Sequence, residues 1–152
     1  MLLLWATHER GHVVVNPSEH AYRPIPQPVG QRILEGVAWV SARRLLAEAQ
    51  LVVPVANLLD HLLGSDGRDG GPWLSEGSGR SPAWQEVAER LQRQFHLGYG
   101  PEEIQDRPQA YFAWGLRTYL TDRQALNVLD PGLERLLRTT IMDSQFWTKA
   151  EG

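Results

Sequence analysis

Pro17, Pro24, Pro26 and Pro28 crowd into one short stretch near the start of the chain. Each removes a backbone donor, fixes its own φ and pushes the residue before it out of the helical region. Residues 17–28 are therefore extended or irregular, and they separate a short N-terminal piece from a longer remainder. In the first piece, Leu2-Leu3-Leu4-Trp5-Ala6 and His12-Val13-Val14-Val15 read as two strands around a turn at His8-Glu9-Arg10-Gly11. Residues 1–28 are thus expected to form a β-hairpin and a Pro-rich segment.

The remainder has helical periodicity. Ile33, Leu34, Val37, Ala38 and Val40 suggest a helix within 29–50. A second helix is expected from Pro54, suited to a first helical position, to Leu63, with Gly64 as its stop. Residues 64–82 are rich in Gly, Ser and Asp and read as a long surface loop carrying Trp73. Ser81 and Pro82 then start a helix with Trp84, Val87, Leu91 and Phe95 on one face. After a break at Gly98-Tyr99-Gly100-Pro101, residues 108–121 form a helix that turns Tyr111, Phe112, Leu116 and Tyr119 toward a core. Thr121-Asp122 caps a short turn, Asp130-Pro131 opens a last helix over 131–142, and 143–152 is a tail. The expectation is one α+β domain, residues 1–152, with a helical part at 29–142 behind a short N-terminal hairpin or small sheet.

Composition narrows the function. The 152 residues carry a net charge of −3 with both signs interspersed, so there is no basic stripe for nucleic acid. No apolar run approaches the roughly 20 residues that cross a bilayer, so no membrane partner is expected. The N-terminus lacks a basic n-region and does not read as a signal peptide. With no Cys there is no disulfide frame and no thiolate zinc site, and a cytoplasmic location is expected.

His8-Glu9-Arg10-Gly11-His12 matches H-E-x-x-H literally. That motif holds zinc with two His from one helix face and uses the Glu as general base. Here Gly11 sits inside it and Val13-Val14-Val15 follows, which favours strand over helix. A polar turn with two solvated His is the plainer reading, and His61 and His96 also read as surface or core histidines. The Gly-rich loop offers no nucleophile elbow, phosphate loop or calcium-loop spacing, although it holds Ser75, Ser78, Asp66, Asp69 and Glu76. Trp73 and Trp147 read either as interface anchors or as side chains folded back on the domain.

A longer pattern runs from Asn57 to Arg138. It contains Asn57-Leu58-Leu59-Asp60-His61-Leu62-Leu63-Gly64, then Ala110-Tyr111-Phe112-Ala113-Trp114-Gly115-Leu116-Arg117-Thr118-Tyr119-Leu120-Thr121-Asp122, then Asp130-Pro131-Gly132-Leu133. This resembles the zincin metallopeptidases of the anthrax lethal factor and Pro-Pro endopeptidase type. Their helices read roughly H-E-x-G-H-A-L-D-x-x-L-G and E-x-F-A-E-A-F-x-x-Y-L-T-D. The resemblance puts Val53 and Asn57 where the family has its two His, and Pro54 at the catalytic Glu. Ala110 falls at the ligand Glu and Trp114 at a second acidic position. It also implies that Asn57 and Ala110 face each other across a cleft, near Asp60, His61, Tyr99 and Tyr111.

The function expected is therefore a non-catalytic, pseudoenzyme-like zincin domain without cofactor, binding a protein or peptide. One alternative is a zinc hydrolase using His8 and His12 as ligands with Glu9 as base. Another is a structural interaction domain of unrelated fold; a homo-oligomer or a larger assembly is open in each case.

Overall fold

A computed structural model of the chain describes residues 11–44 and 48–152. The first expected strand, Trp5 within it, and His8 and Glu9 lie outside the described residues. The fold is α+β and mainly helical, with the strands ahead of the helices.

Strands β1 (His12–Asn16), β2 (Ala21–Arg23) and β5 (Val37–Ser41) form one sheet in the order β1-β5-β2. β1 runs parallel to β5 with His12 opposite Val37, and β2 runs antiparallel to it with Ala21 opposite Trp39. β3 (Gln27–Val29) and β4 (Arg32–Leu34) make a separate hairpin turned at Gly30, whose φ of +60° suits glycine. The helix expected within 29–50 is therefore corrected. Its apolar positions belong to β4 and β5, and the only helical turn among the described residues 29–44 is a 3-10 turn at Ala42–Arg44. Gly36, at φ +63°, breaks the backbone just before β5. Val37-Ala38-Trp39-Val40 is the continuous apolar run of a central strand, which periodicity alone does not separate from a buried helix.

Helix α1 (Glu48–Ser65) contains Pro54 in its interior rather than at its first turn, so the expected start is corrected too. A proline there forfeits one intrahelical bond without having to end the helix. The helix ends where Asp66 (φ +57°) and Gly67 (φ +67°) turn left-handed, their amides donating to Leu62 O (3.0 Å) and His61 O (3.3 Å). Gly64 is thus not the stop; it lies inside the last turn of the helix. The following Gly-rich segment is not a plain surface loop. It folds back on α1, makes a 3-10 turn at Leu74–Glu76 and buries Leu74 and Ser75.

Helix α2 (Pro82–Phe95) starts at Ser81, whose hydroxyl accepts from Trp84 N, and buries Trp84, Val87 and Leu91. Helix α3 (Pro108–Thr121) buries Tyr111, Phe112 and Leu116. Asp122 and Asp130 cap α4 (Arg123–Leu129) and α5 (Pro131–Thr139) by accepting from Ala125 N (3.0 Å) and Leu133 N (2.9 Å).

The expected last helix, 131–142, stops at Thr139, and the expected tail contains helix α6 (Ser144–Glu151), capped by Asp143. Aromatic packing explains why α6 is ordered onto the domain. Phe146 and Trp147 meet Trp84 edge-on, with ring centres 5.1 and 4.8 Å away. Trp84 Nε1 donates to Glu151 Oε1 (2.8 Å), and Arg80 pairs with the same carboxylate. Glu151→Ala is expected to leave the buried indole N–H without this acceptor and to cost about 1–2 kcal/mol. Thermal denaturation of the two proteins checks it, and an unchanged midpoint would contradict it.

Helix α1 lies between two cores. Leu58 and Leu62 join Ala38 of β5, with Val13 and Tyr22 packed against them. On its other side Leu59 and Leu63 join Trp84, Leu91, Phe112, Leu133 and Leu137. No helix among the described residues is long and apolar enough to cross a membrane.

Candidate functional site

Where α1 and α3 run side by side, their outer faces and the Trp73 segment enclose a trough of about 480 Å³. One stripe of α3 forms its floor: Ala110, Ala113, Trp114 and Arg117, at the i, i+3, i+4, i+7 spacing of a single helix face. Val53 and Asn57, one turn apart on α1, face it. Trp73 contributes from the Gly-rich segment, and Ile104 and Arg107 from the residues leading into α3. The two alanines leave room, while Trp73 and Trp114 supply flat apolar surface.

Polar contacts fix the Trp73 wall. The Trp73 amide donates to Glu76 Oε2 (3.1 Å), and Gln109 Nε2 donates to Glu76 Oε1 (2.8 Å), tying the wall to the start of α3. The Trp73 ring stacks on His61, with centres 4.9 Å apart and planes at 23°, and meets Tyr22 edge-on at 5.6 Å. His61 is buried. Its Nε2 lies 3.1 Å from Gly71 O, which can only accept, so that nitrogen carries the proton. In the neutral ring, Nδ1 then accepts from the Tyr22 hydroxyl at 2.8 Å. Burial holds the His61 pKa below its ordinary value, keeping the ring neutral. Tyr22 is pushed up by burial and, secondarily, by the nearby Asp60 charge.

Asp60 is fully buried behind this wall. Its carboxylate accepts from Ser75 N (2.7 Å) and Ser75 Oγ (2.6 Å), which pins the Leu74–Glu76 turn to α1. Burial pushes the Asp60 pKa up to about 7, against the opposing effect of the Ser75 hydrogen bonds. Gln92 of α2 donates to Ser75 O from the other side.

Of the positions picked out in the sequence, Val53, Asn57, Ala110 and Trp114 come together in the trough. Pro54 is buried inside α1 and is not among its lining residues. Asp60 and His61 support a wall from behind and do not line the space. Tyr111 is buried, its hydroxyl donating to Asp130 Oδ2 at 2.6 Å. Tyr99 is exposed and is not among the lining residues. None of these four expected cleft residues is among the residues that line the trough. Trp73 and Trp147 both fold back on the domain, Trp73 with one side left on the trough. Arg107 and Arg117 escaped notice in the sequence, although the helical spacing from Ala110 to Arg117 could have located the second.

The trough does not offer a zinc site of the zincin kind. Val53, Ala110 and Trp114 carry no imidazole or carboxylate, Asn57 offers only an amide, and Pro54 has no group that could take a proton. His12, the second His of the H-E-x-x-H run, opens β1 and pairs with Val37, so it lies on a strand rather than on the helix that motif requires. Among the described residues, no group of three or more His, Cys, Asp or Glu side chains could hold one metal ion.

Comparison with models of protein families, with curated proteins and with solved structures returned no match to this chain.

Proposed function

We propose that the chain is a non-catalytic, zincin-like domain that holds an extended protein or peptide segment in the trough between α1 and α3. One observation carries this reading. Val53, Asn57, Ala110 and Trp114, the positions that the resemblance assigns to metal-binding and acidic groups, line one common space with small and aromatic side chains. A concave surface that joins apolar and aromatic side chains to polar groups, here Asn57, Gln109, Glu103, Arg107 and Arg117, is the ordinary form of a binding site. Its groove shape and aromatic walls suit an extended chain whose side chains seat between the two tryptophans.

The test is fluorescence anisotropy with a labelled hexapeptide mixture randomised at every position, with zinc added in a parallel series. Binding is expected. Ala110→Phe, which fills the floor of the trough without entering the core, is expected to weaken it by about tenfold or more while leaving the melting temperature nearly unchanged. Peptide binding that ignores this substitution would overturn the site. Zinc-dependent cleavage of the peptides, read by mass spectrometry, would overturn the non-catalytic reading.

A further inference from the structure

Of the arginines among the described residues, Arg23, Arg80, Arg123 and Arg138 each pair with a carboxylate of the domain. Arg107 and Arg117, which line the trough, belong to the larger set of described arginines with no such partner, so their guanidinium groups are not taken up by a carboxylate of the domain. Arg107 stands at the N-terminal end of α3 and Arg117 near its C-terminal end. Ten residues of helix place their backbones about 15 Å apart along the trough. That distance is spanned by roughly five residues of extended chain. Between the two guanidinium groups lie Ala110, Ala113 and Trp114, with Trp73 opposite. Glu103 is the one carboxylate among the lining residues, against two guanidinium groups, and the Glu76 carboxylate behind the wall has both its oxygens engaged by Trp73 N and Gln109 Nε2. The chain as a whole has a net charge of −3, so this excess of arginine over acid in the lining runs against the background.

We infer that the occupant is an acidic peptide segment: an apolar stretch of a few residues with a carboxylate side chain at each end, about five residues apart. This rests on the reading of the trough as a peptide site and names what that site selects. Guanidinium groups bind carboxylates in a two-pronged, planar geometry that neutral or basic side chains do not match. Trp73 and Trp114 take the apolar stretch, and the small Ala110 and Ala113 let it lie close to the helix. Two guanidinium groups beside one carboxylate are few for a polyphosphate backbone, which favours a peptide over nucleic acid.

The probes are three labelled hexapeptide mixtures with randomised apolar centres and Glu, Gln or Lys at both ends, titrated by anisotropy at low and high salt. The Glu-ended mixture is expected to bind about tenfold or more tightly than the Gln-ended one, with the Lys-ended one weakest, and the preference is expected to shrink at high salt. The double substitution Arg107→Glu with Arg117→Glu is expected to reverse the order in favour of Lys ends. Should that protein fail to fold, Arg107→Gln with Arg117→Gln is expected to erase the preference without reversing it. Equal binding of all three mixtures, still blocked by Ala110→Phe, would overturn the acidic selection and leave the peptide trough standing. No binding of any mixture would overturn both. Binding of a labelled oligonucleotide in place of the peptides, lost on charge reversal, would make the trough a nucleic-acid site instead.

Discussion

Gly64→Ala is expected to lower the melting temperature by roughly 10 °C and to abolish peptide binding in the trough. A Cβ at this position would sit 2.5 Å from Leu74 N, Pro72 O and Trp73 C. All three are backbone atoms, which cannot rotate away as a flexible side chain could. Residues 72–74 would have to lift off α1, taking Leu74 out of the core, Trp73 off His61 and Ser75 away from Asp60. Overpacking of this kind costs about 1–3 kcal/mol, and contact with fixed backbone puts it at the upper end. For a chain of this size each kcal/mol is worth about 2–4 °C. Gly70→Ala is the control. Gly70 has a positive φ, +70°, but a Cβ there would meet nothing within 4 Å, so only the backbone strain is felt. Thermal denaturation of both variants with near-ultraviolet circular dichroism separates the two effects. A Gly64→Ala protein as stable as the Gly70→Ala protein would show that the segment is not held against α1 as described.

The second large effect is a pH dependence that Asp60→Asn removes. With its pKa raised to about 7 by burial, Asp60 is protonated in the native state at pH values where an unfolded aspartate, near 3.9, is already ionised. Below about pH 4 both states are protonated and the contribution of this group to stability is fully present. It is lost as pH rises from about 4 through about 7, where the native carboxyl must ionise in a dry site. A tenfold change in proton affinity is worth about 1.4 kcal/mol, so the loss amounts to a few kcal/mol.

Asparagine keeps the contacts. Its amide oxygen can accept from Ser75 N and its amide nitrogen can donate to Ser75 Oγ, but it does not titrate. Melting temperatures of the two proteins between pH 4 and pH 8 should therefore diverge, with the variant gaining on the unsubstituted protein as pH rises. His61, held below its ordinary pKa by burial, acts in the opposite sense, withdrawing stability as pH falls. It is common to both proteins and drops out of the difference. Parallel curves would show that Asp60 does not carry the pH dependence.

The parts of the fold that the sequence made legible are those set by local chemistry. Pro108 at a helix start, an apolar face through Tyr111, Phe112 and Leu116, and a turn at Asp122 delimit α3 without reference to anything distant. Ser81 and Pro82 do the same for α2. Legibility failed where partners lie far along the chain. β5 looks like helix by spacing because its pairing with β1 and β2 is not written in its own residues. α6 looks like a tail because Phe146 and Trp147 matter only once Trp84 is beside them. Gly64 reads as a stop signal because a glycine needed for close approach and a glycine needed for a left-handed turn are the same letter.

The site divides in the same way. Val53, Asn57, Ala110 and Trp114 are named in the sequence only by the resemblance, not by spacing, and all four line the trough. Asp60 follows Asn57 by less than one turn of α1, yet it faces the buried Ser75 segment. No periodicity assigns two neighbouring polar residues to opposite sides of a wall. Arg107 and Arg117 were hidden by a charge distribution that looks evenly mixed along the chain and becomes uneven only where α3 meets the trough.

The position of α1 between the two cores has a consequence for how the protein comes apart. Leu58 and Leu62 serve the sheet while Leu59 and Leu63, one residue along in each case, serve the helical side. The two sides are unequal. The helical core takes no residue from a strand, so losing the sheet exposes Leu58 and Leu62 and leaves that core closed, whereas losing the helical layer leaves the sheet only the cluster of Ala38, Leu58 and Leu62 as a buried interior. The sheet is thereby the part that can come away first, and Leu74, buried in the helical core, keeps its end of the trough wall in place when it does.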